Sequence, residues 1–148
     1  MSDQVSLRPL LRLLNHYRLS HQHPQNEAIH LLCVPAIVWS LLALCWMGNK
    51  LATLLGVALA LSYYCYLSLR MAAGMCLMCT SMLALLQWIP ENYLGQTALS
   101  VFVLAWIGQF IGHKIEGKKP SFFEDLRYLL IGPLFVLEIL YKRLGWSY

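Results

Sequence analysis

The side chains most able to do chemistry in this sequence are its five histidines: His16, His21, His23, His30 and His113. Neutral imidazoles are good ligands for iron, zinc and copper ions. In a helix, His30 shares a face with Asn26, four residues before it. His113 likewise shares a face with Gln109 and Glu116. The spacing therefore indicates a histidine metal site whose ligands are supported by amide and carboxylate side chains.

The composition shows which elements must position these histidines. Hydrophobic residues make up 59% of the 148 residues and charged residues only 12%, about half the usual share of charge. Four stretches contain no Asp, Glu, Lys or Arg: residues 28–49, 51–69, 71–90 and 92–113. Each is about the ~20 residues that a helix needs to cross a bilayer. The pattern excludes a disordered chain, a disulfide scaffold and a nucleic-acid-binding module. It predicts an all-α, polytopic membrane helix bundle that forms a single domain over residues 1–148.

Two further helices are expected outside the four spans. Residues 5–18 carry apolar side chains on one helical face, which predicts an amphipathic helix that lies on the membrane surface or packs on the rest of the protein. Ser121 and Glu124 form a capping-box pair that predicts the start of a C-terminal helix, interrupted near Gly132-Pro133. Three arrangements stay open for this helix: crossing, re-entering, or lying in the interface. Glu138 is a functional candidate if it lies at membrane depth, and otherwise it reaches the interface.

The basic residues predict the orientation. Three arginines (Arg8, Arg12 and Arg18) precede the first span, and four basic residues (Lys114, Lys118, Lys119 and Arg127) follow the fourth. The positive-inside rule places both regions, and with them all five histidines, on the cytoplasmic side. We expect the inner membrane of a bacterium, or the endoplasmic reticulum if the chain is eukaryotic. No cleavable signal peptide is expected, because the first 27 residues lack an uninterrupted apolar core.

Each chemical signal also has a simpler interpretation. A histidine at a membrane interface is usually only a solvated or hydrogen-bonded group; this is favoured for His16, and His23 fits either interpretation. His30 and His113 are favoured as functional because amide or acid side chains accompany them at helical spacing. The G-x-x-x-G formed by Gly108 and Gly112 usually indicates close helix packing. The five cysteines, including the C-x-x-C of residues 76–79, are interpreted as small apolar packing residues.

Two blocks of the sequence match a known pattern. The first runs from Tyr17 to His30 and continues into Val34-Pro35. The second runs from Trp106 to His113 and continues with Glu116, Pro120, Gly132-Pro133, Phe135 and Glu138. Together they resemble the membrane 2-hydroxy fatty acid dioxygenase family, whose fungal members act in converting phytosphingosine to odd-numbered fatty acids. The resemblance covers nearly the whole chain and extends to bacterial relatives.

The resemblance implies an iron(II) enzyme of fatty acid α-oxidation, which cleaves a long-chain 2-hydroxy fatty acid with O2 to a product one carbon shorter. By position, His21, His30 and His113 match family histidines, and His23 is a fourth candidate ligand at a position where the family is expected to have another polar residue. Asn26, Gln109 and Glu116 match polar positions of the catalytic site. The implied partners are the hydroxy acid, O2 and membrane lipid, and the basic residues after the fourth span are candidates to attract the carboxylate.

Under this resemblance, the chemistry follows from the substrate. A 2-hydroxy acid can close a five-membered chelate ring on iron through its carboxylate and hydroxyl, so the protein should supply only three or four ligands. Two other functions stay open. One is a b-type haem protein with His30 and His113 as axial ligands. The other is a non-catalytic membrane protein that binds a partner or lipid. A Soret band would identify the haem protein, and metal analysis would separate the enzyme from the binding protein.

Overall fold

The computed structural model describes residues 2–19, 21–117 and 128–147, and over these residues the chain is helical without strands. The helices are α1 (Ser2–Arg18), α2 (Pro24–Gly48), α3 (Lys50–Leu67), α4 (Leu69–Leu86), α5 (Glu91–Glu116) and α6 (Ile131–Arg143). The all-α prediction is confirmed. Ser121 and Glu124, the predicted capping pair of the C-terminal helix, lie outside the described residues.

Helices α2 to α5 correspond to the four predicted spans, and each is long and apolar enough to cross a membrane. Large apolar side chains such as Leu32, Leu59 and Leu77 are largely exposed on their outer faces. A water-soluble protein rarely exposes so much contiguous apolar surface. The chain is therefore an integral membrane protein whose outer faces contact lipid.

Single residues join α2 to α3 and α3 to α4. A single residue, Asn49, separates α2 from α3, and its side-chain Oδ1 accepts a hydrogen bond from the backbone N–H of Ala52 at 2.9 Å. Ser68 separates α3 from α4 and accepts from the backbone N–H of Met71. Both residues are N-caps, which satisfy the orphan donors of the next helix. The break between α3 and α4 falls at Ser68, two residues before the boundary at residue 70 between the charge-free stretches.

Helix α1 packs on the protein through its apolar face. Leu10, Leu14 and Tyr17 are buried, and they share one hydrophobic core with residues of α3, α4 and α6. Of the two arrangements predicted for α1, the structure shows packing on the rest of the protein. The end of α1, and the residues that follow it, are thereby fixed against the bundle.

Helix α6 by itself is too short to cross a bilayer. Its 13 residues rise only ~20 Å, against the ~30 Å of a hydrocarbon core. At its start, the backbone oxygen of Leu130 accepts a hydrogen bond from the Tyr64 hydroxyl at 2.9 Å. Near its end, the Tyr141 hydroxyl donates to the backbone oxygen of Arg70 at 2.9 Å. Tyr64 and Arg70 flank the α3–α4 junction, so both ends of α6 lie at the same end of the bundle.

The predicted interruption near Gly132-Pro133 corresponds to a turn over residues 128–130, immediately before α6 begins. These two residues lie in the first turn of α6. Proline is well tolerated there because the first backbone N–H groups of a helix have no partner within it. Gly132 packs closely here, since an added Cβ would lie 3.2 Å from Val34 and 3.3 Å from the Tyr17 hydroxyl and would require these side chains to shift.

The G-x-x-x-G of α5 packs against the first half of α2, as its motif predicts. A Cβ added at Gly108 would lie 2.5 Å from the sulfur of Cys33, and one added at Gly112 would overlap the side-chain oxygen of Asn26. Real Cβ atoms do not approach neighbours this closely. The two glycines therefore allow α2 and α5 to cross in contact, which brings the start of α2 beside the end of α5.

Replacing Gly112 with alanine should destabilise the protein by about 1–3 kcal/mol, because the new methyl group overpacks the α2–α5 contact. Thermal unfolding in detergent, followed by far-UV circular dichroism, measures the effect. Gly56→Ala is the matched control: nothing lies within 4 Å of an added Cβ on this α3 residue, and alanine is the better helix former. Equal midpoints for the two variants would contradict the close approach of α2 and α5.

Candidate metal centre

Three histidines from different parts of the chain form one buried cluster. His21 lies between α1 and α2, His30 lies in α2, and His113 lies near the end of α5. Their exposed fractions are 3%, 1% and 4%. Their potential ligand nitrogens all lie within 4.8 Å of one another. The ring centroids of His21 and His30 are 4.2 Å apart, and each is 5.3 Å from that of His113.

Backbone carbonyls fix the tautomers of two of these rings. The Nδ1 atom of His21 lies 2.8 Å from the backbone oxygen of Tyr17, and the Nδ1 atom of His30 lies 2.9 Å from that of Asn26. A carbonyl oxygen only accepts hydrogen bonds, so each Nδ1 carries the proton and each Nε2 keeps its lone pair. Metal-ligating histidines are usually held in this way by their second nitrogen.

Tyr17 is a part of the site that the sequence reasoning missed. Its ring stacks on His21 at 4.2 Å, with an angle of 12° between the planes. Its backbone oxygen accepts the hydrogen bond from the same histidine. The spacing of four between Tyr17 and His21 was an available signal, since Asn26 and His30 show the same spacing. Because His21 lies beyond the end of α1, helical spacing alone does not pair it with Tyr17.

The carboxylate of Glu116 ties the end of α5 to the segment that carries His21. Its Oε1 atom accepts from the backbone N–H of Gln22 at 2.9 Å. Its Oε2 atom accepts from the backbone N–H of His23 at 2.8 Å and from the side-chain amide of Asn26 at 3.1 Å. Glu116 is therefore not in the histidine cluster, and both of its oxygens are engaged in positioning the start of α2.

The structure does not bring His23 or His16 into the cluster. His23 is exposed, and its Nδ1 atom accepts a hydrogen bond from the backbone N–H of Gln25 at 3.2 Å, which makes it the N-cap of α2. Its ligand role stays a prediction, and the histidine group that the structure brings together is His21, His30 and His113. His16 is also exposed, and its ring lies 5.8 Å from that of Tyr128, consistent with the simpler interpretation favoured for it.

Two buried amide oxygens belong to residues that lie one helical turn before clustered histidines, Asn26 before His30 and Gln109 before His113. Among the described residues, neither Oε1 of Gln109 nor Oδ1 of Asn26 has a hydrogen-bond partner. Gln109 also lines a void of about 30 Å³, together with Tyr17, Val34 and Gly132; this is about the share of one liquid water molecule. A buried acceptor with no donor costs about 1–3 kcal/mol. Gln109 is therefore placed to accept a hydrogen bond from a bound molecule.

Glu138, the unusual acid of the C-terminal helix, is almost completely buried but is not part of the histidine cluster. It forms ion pairs with Arg18 and, at 2.8 Å, with Lys142. Arg18 is the last residue of α1 and lies three residues before His21. The pair joins the end of α1 to α6, and removing one partner of a buried ion pair is strongly destabilising. Glu138 therefore holds in place the segment that carries His21.

The donor set fits a divalent transition-metal ion better than a haem. Three imidazoles in mutual contact, two with tautomers fixed by the backbone, are suitable ligands for iron, zinc or copper. A haem would need a flat slot between His30 and His113. In the described part of the chain their rings are 5.3 Å apart and His21 contacts both, so no such slot is present.

Comparison with known proteins identifies similar sequences. A family model described as "2-hydroxy-palmitic acid dioxygenase Mpo1-like" matches residues 7–144. The 2-hydroxy-palmitic acid dioxygenase MPO1 of Saccharomyces cerevisiae is 30% identical over 139 residues, which cover 87% of this chain and 78% of the yeast protein. No solved structure matches the chain. The matched residues include all three histidines of the cluster, as well as Gln109 and Glu116.

Proposed function

This chain belongs to the 2-hydroxy-palmitic acid dioxygenase Mpo1-like family, and from this premise we propose that it is an iron(II)-dependent dioxygenase of long-chain 2-hydroxy fatty acids. The products are fatty acids one carbon shorter, formed with loss of the carboxyl carbon. The observation that carries the proposal is the buried cluster of His21, His30 and His113 at one end of a membrane helix bundle.

The three clustered histidines would hold the iron. Iron(II) bound there would supply Lewis acidity and redox chemistry with O2. The backbone carbonyls of Tyr17 and Asn26 hold protons on two Nδ1 atoms, so the chain presents preformed lone pairs to the ion. Glu116 and Glu138 act as positioning residues, because they anchor the segments on either side of His21.

The substrate's polar end would meet residues beside the cluster. The Oε1 atom of Gln109 would accept a hydrogen bond from the 2-hydroxyl group, which would supply the donor that this oxygen lacks among the described residues. Burial of the site excludes bulk water and strengthens such polar contacts. Lys114, exposed next to His113, would attract the carboxylate, with about 1 kcal/mol expected for a basic residue near the membrane surface.

The test is direct conversion of substrate. Purified protein loaded with iron(II) should convert 2-hydroxypalmitate to pentadecanoate in the presence of O2, as measured by mass spectrometry. The sample should contain about one iron per chain, because one histidine cluster is present in the described residues, and should show no Soret band. Chelation should remove activity and iron(II) should restore it. A lack of turnover in an iron-loaded sample would instead favour a lipid- or partner-binding protein.

We further propose that the histidine end of the bundle faces the cytoplasm, in a bacterial inner membrane or the endoplasmic reticulum. The basic residues on both sides of the four spans support this orientation. Single cysteines introduced at residues 2 and 118, in a chain whose native cysteines are replaced by serine, should both be protected from an impermeant thiol reagent in intact cells. Both should react after the membrane is opened. Labelling of either one in intact cells would overturn the orientation.

A further inference from the structure

An elongated apolar cavity of about 510 Å³ lies between α2, α3 and α4. We infer that this cavity binds the acyl chain of the 2-hydroxy fatty acid, with the polar end of the acid at the histidine cluster and the methyl end towards the opposite membrane face. The inference rests on the proposed function, because it assumes a substrate whose reacting end is at the histidines.

The position of the cavity matches this arrangement. On α2 it is lined from Val38 to Gly48, a rise of roughly 15 Å. That is half of the ~30 Å hydrocarbon core of a bilayer, about the depth filled by the acyl chain of one lipid. At the end farther from the histidines it reaches Asn49 and Thr53, whose side chains bond to the backbone at the α2–α3 junction.

The near end of the cavity shares one wall with the small void beside Gln109. Leu129 lines both the cavity and the small void beside Gln109. Leu130 and Pro133 line the cavity, while their neighbour Gly132 lines the void. The turn formed by residues 128–130 therefore separates the two spaces. An acid with its polar end beside Gln109 would therefore enter the apolar cavity where the Leu129 side chain moves aside.

The volume and lining suit a long alkyl chain. An apolar cavity of about 150 Å³ accommodates benzene, so about 510 Å³ has room for roughly twenty carbon atoms. The space exists because α3 presents small residues to it: Ala52, Gly56 and Ala60. At Gly56 no atom lies within 4 Å of an added Cβ. Gly108 and Gly112 differ, because they allow two helices to touch. The small residues of α3 instead leave the space between α2 and α3 unfilled.

Chain-length selectivity tests the inference. Gly56→Phe places an aromatic ring in the cavity, and it should lower the ratio of 2-hydroxypalmitate turnover to 2-hydroxyoctanoate turnover by about tenfold or more, the contribution of two buried methylene groups. Ala58→Phe is the matched control, because Ala58 is exposed on the same helix and does not line the cavity; it should leave the ratio unchanged. An unchanged ratio in folded Gly56→Phe protein would overturn the inference.

A second measurement separates this inference from the proposed function, since it does not depend on turnover. A 2-hydroxy fatty acid with a diazirine near its methyl end should crosslink to cavity-lining residues of the wild-type protein such as Leu42, Cys45 and Ala52, as mapped by mass spectrometry. Crosslinks there without turnover would support the cavity and refute the dioxygenase. Turnover with crosslinks only on outward-facing residues such as Leu59 would refute the cavity, and would indicate that bilayer lipid occupies it.

Discussion

Replacing either His30 or His113 with alanine is expected to abolish iron binding and turnover while the protein stays folded in detergent. Each residue supplies one of the three imidazoles that cluster in the described part of the chain, and alanine offers no donor atom in its place. Both side chains are buried, so water enters poorly to replace the lost ligand. Metal analysis and the pentadecanoate assay measure the loss, while circular dichroism and size-exclusion chromatography verify the fold.

Variants of neighbouring residues test whether the predicted loss is specific to the clustered histidines. His16→Ala should behave like the wild-type protein, because His16 is exposed and outside the cluster. Changes at Gln109, Asn26 or Glu116 should cost less than loss of a ligand, about 10–100-fold in iron affinity or activity, as is usual for residues that support ligands. Full iron content and full turnover in folded His30→Ala protein would show that the ligand assignment is wrong.

The wild-type enzyme should turn over 2-hydroxypalmitate and fail with palmitate. In the proposed reaction, the hydroxyl group marks the carbon that is oxidised, and it would supply the donor for the buried oxygen of Gln109. A site built to hydrogen-bond a substrate hydroxyl rejects the analogue without it by about 10⁴–10⁵-fold. A 3-hydroxy acid should also fail, because its hydroxyl lies one carbon farther from the carboxylate. Product analysis by mass spectrometry of parallel reactions measures the discrimination.

Lactate provides the complementary comparison, because it keeps the 2-hydroxy acid and lacks the long chain. Each buried methylene contributes ~0.8 kcal/mol, so lactate should bind more weakly by several kcal/mol, even after allowance for the affinity of a long chain for lipid. Competition of lactate against 2-hydroxypalmitate measures this difference. Equal turnover of palmitate and 2-hydroxypalmitate would refute the role of the hydroxyl in the proposed reaction.

Much of the fold follows from the sequence, because the composition of each segment indicates whether the segment lies in lipid or in water. Four charge-free stretches predict four membrane helices, and α2 to α5 occupy them to within a few residues. The G-x-x-x-G of α5 predicts a close helix partner, and α2 is that partner. Local spacing also pairs Asn26 with His30, since residues four apart lie on one face of a helix.

Only the tertiary structure decides which groups meet. The sequence brings all five histidines to one membrane face, but it does not separate His21, which enters the cluster, from His23, which caps α2. The contact between Asn26 and Glu116 joins residues 90 positions apart. The burial of Glu138 beside Arg18, and the return of α6 to the same end of the bundle, are likewise long-range outcomes.

The physical reason lies in the spanning helices themselves. A helix that is apolar on all sides has no amphipathic stripe. Its sequence therefore indicates an apolar environment, but it does not indicate which face of the helix packs against which neighbouring helix. Rotation, tilt and separation are instead set by packing of individual side chains. The sequence thus determines the number of helices and the end of the bundle where the histidines gather, whereas packing determines the three-histidine geometry and the open volume between α2 and α3.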